Sequence, residues 1–242
     1  TRVRSSAASD VYKRQLLYLS YFRPDHLRNG TTAETYGKIK QSLALIAART
    51  ADGIEFGTAF CIGSDESDSY FLTNSHVVSD SAELLLVPMY SAASSNPVGA
   101  TVMFRDSTRD LAIVQAHIPR VPIVIFANDA PSAGQSIAIA GFPDVQIRLF
   151  FARMGLTPSM HIGSVNAITA NGSLVEFDAT TDHGNSGGPL FDASTGAVYG
   201  VVTYGVPSGQ SVAVQNNFAI SVRELWPFIS GSKVRVLRAD AP

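Results

Sequence analysis

A serine hydroxyl is a poor nucleophile at neutral pH. To attack a carbonyl it needs a base, an acid to orient that base, and hydrogen-bond donors for the oxyanion that forms. The segment TDHGNSGGPLFD, residues 181–192, surrounds Ser186 with glycines. Their freedom lets the chain turn so that the amides of Gly184 and Ser186 point at one spot, a donor pair for such an oxyanion. The same residues also suit a tight turn with no chemistry, and the GNSGG spacing fits the G-x-S-x-G elbow that presents a serine after a strand.

The histidines separate these readings. They are His26, His76, His117, His161 and His183, and none follows Ser186. An α/β-hydrolase, whose order is Ser, acid, His, therefore cannot be completed, and an acid-His-Ser order on an α/β scaffold conflicts with the strand-rich pattern. The order His, Asp, Ser remains. His76 lies in YFLTNSHVV, directly after a strand-like run that can aim its ring. His117 and His161 read as structural histidines. His183 is too close in sequence to Ser186 for easy proton transfer and borders the cleft instead. For the acid, Asp110 in RDSTRDLAIVQ stands immediately before the apolar run 111–114, at the edge of a core, with Asp106 in the more polar turn as reserve.

These groups must be held by short strands. After TTAETYGKIKQ, where Thr31 and Glu34 have capping-box spacing ahead of a helix, the runs SLALIAA, GTAFCIG, YFLTN, AELLLVP, ATVMFR and LAIVQA are each closed by turn residues. A second series of about six follows FANDAPSAG: SIAIAGF, MHIGSVNAI, SLVEFDA, GPLFD, AVYGVVTYG and NNFAIS. The pattern predicts an all-β fold of two antiparallel barrels or sandwiches, residues 31–127 and 128–222, with a linker near residues 126–134. Ser221 and Glu224 again have capping-box spacing, so residues 223–242 supply a C-terminal helix, with Pro227 confined to its first turns, and a tail. Only about a dozen residues follow that helix, too few for a C-terminal peptide-binding module. Residues 1–30 are a leader. Its opening TRVRSSAASDVYKRQ lacks an initiating Met and any periodicity, resembles translated adapter sequence, and is set aside as an assembly artefact. On that reading the true N-terminus, with any signal peptide or anchor, lies outside this sequence.

Composition bounds the partners. With 18 basic and 20 acidic residues the net charge is −2, so no broad basic field attracts nucleic acid. No apolar run approaches the roughly 20 residues of a membrane-spanning helix. Cys61, the only cysteine, excludes an intramolecular disulfide and reads as a core residue. No His, Cys and Asp cluster has metal-ligand spacing, so neither metal nor cofactor is expected.

Taken together, TNSHVV, RDLAIV and DHGNSGGPLFD resemble the three signature segments of chymotrypsin-like (trypsin-like) serine peptidases, and within them the bacterial HtrA/Deg-type branch, here without its PDZ module. The resemblance covers residues 33–229. It implies two six-stranded antiparallel β-barrels with the catalytic groups between them. His76 would be the general base, Asp110 its orienting acid and Ser186 the nucleophile, with the amides of Gly184 and Ser186 as oxyanion hole. GVVTYG, residues 200–205, would be the strand that pairs with substrate, Thr203 bonding Asp110 while Tyr204 and Gly205 line the non-primed side. The branch further implies a homo-oligomer, commonly a trimer, and an extracytoplasmic location.

Departures from the family pattern carry information. Asn185 stands where many animal relatives have an Asp that pairs with a newly cut N-terminus, so activation of that kind is not expected. Val77 and Val78 replace a cysteine beside the base, and His183 stands where the bacterial branch often has Pro. Thr180 occupies the position that is acidic in trypsins. With Thr181 and Ala219 as further walls, the pocket is expected to take a small or medium apolar P1 residue such as Val, Ala or Leu, while Asp182 keeps a basic preference open. The expected activity is hydrolysis of polypeptide substrates through an acyl-enzyme. The alternatives are a peptide-binding pseudoprotease and an esterase on the same scaffold.

Overall fold

The computed structural model describes residues 30–79, 81–90, 96–203, 217–232 and 234–239. Tyr204 and Gly205, His26, and the leader up to residue 29 lie outside the described residues.

Thr31 starts the first helix, α1 (Thr32–Ser42). Its hydroxyl accepts the Glu34 amide while the Glu34 carboxylate accepts the Thr31 amide, so both halves of the capping box form. Six strands then close an antiparallel barrel in the order β1 (Leu43–Arg49), β2 (Ile54–Ser64), β3 (Ser69–Thr73), β6 (Leu111–Ala116), β5 (Val98–Asp106), β4 (Glu83–Pro88). The second sheet runs β11 (Pro189–Asp192), β8 (Ser136–Gly141), β9 (Ser159–Ile168), β10 (Leu174–Phe177), β13 (Asn217–Ser221), β12 (Val198–Thr203). Pairing of β11 with β12 closes these six strands into a second barrel. The two-residue strands β7 (Ile125–Phe126) and β14 (Leu237–Arg238) extend it in parallel beside β12. The connection between barrels therefore begins as a strand, because Phe126, fully buried, anchors it.

The two faces of each strand feed different cores, as the period of two requires. Ala59, Cys61, Ala112 and Val114 pack within the first barrel's own cluster, whereas Phe60, Ile62, Leu111 and Ile113 belong to a larger cluster shared with the second barrel. Ala138 and Ala140 of β8 join the shared cluster, and Ile137 and Ile139 a third one confined to the second barrel. The shared cluster is what joins the two halves. It is covered by Ile39 of α1 and by Leu225, Phe228 and Ile229 of the C-terminal helix.

That helix, α3 (Val222–Ser232), departs from the expected capping box. The Ser221 hydroxyl accepts the Arg223 amide, a normal N-cap bond, but the Glu224 carboxylate turns away to Arg109. Pro227 is its sixth residue, in the second turn, so the Arg223 carbonyl is left without an intrahelical donor. A third helix, α2 (Asp144–Phe151), was not anticipated from the sequence. Pro143 precedes it in extended conformation, Asp144 pairs with Arg148 one turn later, and only Ile147 is buried, so its apolar periodicity is too short to recognise.

Candidate active site

The strand β3 is buried throughout and delivers Asn74, Ser75 and a single 3₁₀ turn, His76–Val78, to the space between the barrels. Val77 and Val78 are buried in the first barrel's cluster and pin the turn, leaving the His76 ring half exposed. Asp110 ends the β5–β6 turn in the left-handed region, φ +55°, a conformation Asp adopts more readily than most residues. Its Oδ1 accepts the His76 amide at 2.9 Å and its Oδ2 lies 2.9 Å from His76 Nδ1. The carboxylate cannot donate, so Nδ1 carries the proton and Nε2 of the neutral ring is left as a base. Thr203, reaching over from β12, donates its hydroxyl to Asp110 Oδ2 at 2.9 Å, and Asn74 Nδ2 donates to the Asp110 carbonyl at 3.0 Å. Asp106, the reserve acid, is instead spent on its own turn, accepting the amides of Thr108 and Arg109.

Ser186 sits on the loop before β11, in the other barrel. Gly184 and Gly187 have φ +92° and +85°, and neither tolerates a side chain. A Cβ on Gly184 would stand 2.2 Å from the Phe142 carbonyl oxygen, and one on Gly187 2.1 Å from that of Thr58. The loop's amides alternate. Those of residues 183, 185, 187 and 188 donate to Asp182 Oδ1, Asp182 O, Val202 O and Asn185 O. Those of Gly184 and Ser186 donate to none of the described residues. The carbonyl of His183 accepts the Asp144 amide of α2 at 2.9 Å. Because the peptide is trans, this turns the Gly184 N–H away from the helix. Two neighbouring unengaged N–H groups beside a serine are the donor arrangement that an oxyanion requires.

Thr58 of β2 holds this loop. Its amide donates to the Ser186 carbonyl at 2.9 Å, its hydroxyl donates to the Gly184 carbonyl at 2.7 Å and accepts the Phe142 amide at 3.0 Å. A single threonine in a strand run carries no sequence signal for such a role. Asn185, 2% exposed, has no hydrogen-bond partner for its side-chain nitrogen or oxygen among the described residues.

His76, Gly184, Ser186 and His183 line one cleft of about 440 Å³ with Glu55, Phe56, Val77, Asp144 and Ile147. His76 and Ser186 share it without a hydrogen bond between them, a contact that tightens in catalytic sites once substrate is seated. The other residues singled out are distributed differently. Thr180 is exposed, Thr181 hydrogen-bonds Asn217 through its hydroxyl, and Ala219 is fully buried in the second barrel's cluster. None of these three lines the cleft. His117 is exposed beside Asp68, and His161 is half-buried on β9. Among the described residues no group of three His, Cys, Asp or Glu could hold a metal ion, and no helix is long and apolar enough to cross a membrane.

Comparison with known proteins bears on the family and the fold. A probable periplasmic serine endoprotease, DegP-like, of Bartonella henselae is 30% identical over 170 residues, 66% of this chain and 30% of the relative. A serine protease of Mycobacterium tuberculosis is 32% identical over 155 residues, 60% of this chain and 35% of the relative. The chain thus spans about a third of the length of these curated relatives. Among solved structures, a serine endoprotease from Yersinia pestis superposes with a TM-score of 0.66 at 19% identity, covering 85% of this chain and 67% of that one. The active form of the M. tuberculosis protease gives 0.64 at 21%, covering 84% and 86%. With the trypsin-like peptidase domain model matching residues 57–201, and a two-barrel fold shared with the solved proteases, the chain belongs to the trypsin-like peptidase family.

Proposed function

We propose that this chain is a serine endopeptidase in which Ser186 attacks the scissile carbonyl, His76 Nε2 takes the serine proton and returns it to the leaving amine, and water completes hydrolysis of the acyl-enzyme. Asp110 holds His76 in the tautomer that leaves Nε2 basic and stabilises the imidazolium that forms. Thr203 fixes the Asp110 carboxylate. The amides of Gly184 and Ser186, unengaged among the described residues, stabilise the oxyanion. The observation that carries this reading is the convergence in one cleft of an oriented histidine from the first barrel with a serine flanked by the loop's two unengaged amides from the second.

The neutral Asn185 bears on regulation. A buried carboxylate at this position would demand a cation, whereas an unpartnered amide costs about 1–3 kcal/mol. The site therefore forms without the ion pair to a newly cut N-terminus, and a chain beginning at Ala33 remains active. A small or medium apolar P1 residue is proposed because Thr180 offers no charge to a basic side chain; with Thr181 and Ala219 it would wall a P1 pocket beside the described cleft rather than within it, and Tyr204 and Gly205 would pair with substrate backbone on the non-primed side. Relatives described as periplasmic support an extracytoplasmic location, and a homo-oligomer is proposed on the likeness to the HtrA branch.

A fluorophosphonate that labels Ser186, located by peptide mass mapping, and that fails to label His76→Ala, tests the activated nucleophile. No labelling of the folded protein would favour the peptide-binding pseudoprotease instead. Comparing casein with simple esters separates peptidase from esterase, and a peptide-library digest dominated by cleavage after Arg would reject the apolar P1 pocket. Ser186→Ala lowers turnover by roughly 10⁴ to 10⁶-fold with the fold intact.

A further inference from the structure

The proposed triad is split between barrels, so its geometry depends on how firmly the barrels are registered. One tie is the Thr203 hydroxyl on Asp110. A second lies one residue away. Arg109 Nη1 donates to Asp106 Oδ2 at 2.6 Å, and its Nε donates to Glu224 Oε2 at 2.9 Å, across to the first turn of α3. Both ends are fixed by their own backbones. The Arg109 amide is held by Asp106 Oδ1 in the turn, and Glu224 is the third residue of a helix that follows directly on β13, the strand paired with β12 and Thr203.

We infer that Arg109 and Glu224 form a strut between the barrels that positions Asp110, and through it the His76 ring, for attack by Ser186. This rests on the triad assignment above. Asp110 needs such support because a non-glycine residue at φ +55° relaxes unless its surroundings hold it. Both members are partly shielded, with side chains 40% and 32% exposed, and one guanidinium joined to two carboxylates through separate nitrogens is a network rather than an isolated surface pair. The charges agree with this. Hydrogen bonds from Arg109 to Asp106, then to Glu224, raise the guanidinium above its usual range. Partial burial pushes the Asp106 carboxyl up, but hydrogen bonds from Arg109 and the turn amides outweigh it and leave it below the usual carboxylate range. Neither Arg109 nor Glu224 lines the cleft. They are positioning residues.

The test compares Arg109→Met, Glu224→Gln and Arg109→Lys in the full chain, using turnover of an activated ester and the rate of fluorophosphonate labelling. The downfield His76 Nδ1–H proton resonance, assigned by its loss in Asp110→Asn, is followed alongside. Arg109→Met and Glu224→Gln are expected to lower kcat and the labelling rate about tenfold, with KM changed less than twofold, because a displacement of the order of an ångström costs up to 10²-fold. The His76 resonance broadens in both. Arg109→Lys, which keeps the charge toward Glu224, recovers more than half of the loss. Arg120→Met, which removes the exposed pair with Glu66, changes none of these. Wild-type kcat with an unaltered resonance in the folded variants overturns the strut, as does an equal effect of Arg120→Met. Should Arg109→Met fail to fold, Glu224→Gln decides. If wild-type protein neither turns over nor is labelled, it is the proposed function that fails, and the His76 resonance alone still decides whether the strut orders the ring.

Discussion

Thr58→Val is the most informative single change in this protein. Valine matches threonine in shape, so packing is nearly unaltered, but it removes the hydroxyl that donates to the Gly184 carbonyl and accepts the Phe142 amide. Thr58 and Phe142 are fully buried, so water does not readily replace either partner. Two buried backbone groups are thus orphaned at about 1–3 kcal/mol each, a loss of roughly 2–6 kcal/mol. For a chain of this size that lowers Tm by about 4–24 °C. The same carbonyl belongs to the loop presenting the proposed oxyanion donors, and losing one donor outright costs 10² to 10³ in kcat. Loosening its support is expected to lower kcat by about tenfold with little change in KM. Urea unfolding followed by circular dichroism gives the stability term, and ester turnover the rate. Thr58→Ser, which retains the hydroxyl, separates hydrogen bonding from the lost methyl and keeps kcat. A Thr58→Val protein within 0.5 kcal/mol and twofold of wild type in both measurements refutes the argument.

Other expectations follow from the same geometry. Gly187→Ala places a Cβ 2.1 Å from the Thr58 carbonyl oxygen at φ +85°, and is expected to cost about 3 kcal/mol or more, read as a lowered urea midpoint. Asp110→Asn keeps a residue that tolerates the left-handed backbone while removing the charge, so the fold persists and kcat falls by roughly the 10⁴-fold this change costs in the chymotrypsin-type triad. A preserved rate would remove Asp110 from the mechanism. Burial pushes the Cys61 thiol up to about 12 from 9.0, so iodoacetamide leaves it unmodified in folded protein at pH 8. The unfolded chain ionises first, so this thiol's contribution to stability is complete below pH 9 and lost as pH rises from 9 toward 12. Cys61→Ala should flatten that part of the stability profile.

Much of the site was legible in one dimension because its chemistry is ordered along the chain. The absence of a histidine after Ser186 eliminated one enzyme fold, and a strand-like run ahead of His76 with an apolar run after Asp110 marked the residues that the structure brings to 2.9 Å. The Thr31 capping box was equally local and formed as read. Ser221 and Glu224 have the same spacing, yet Glu224 pairs with Arg109, 115 residues earlier in the chain, because an available guanidinium outcompetes a single amide. Helix α2 escaped because one buried residue gives no period, although its first amide orients the loop at Gly184.

The sequence by itself determined the kinds of groups available, the strand content and the order His, Asp, Ser, since residue type and alternation survive any folding of the chain. Only the folded structure decided which loop amides find no acceptor among the described residues, because that depends on the turn at Asp182 and Asn185 and on where β12 offers the Val202 oxygen. It alone showed that Thr58 holds the loop and that Arg109 joins the barrels. Those contacts link segments more than a hundred residues apart, and nothing in local spacing encodes them.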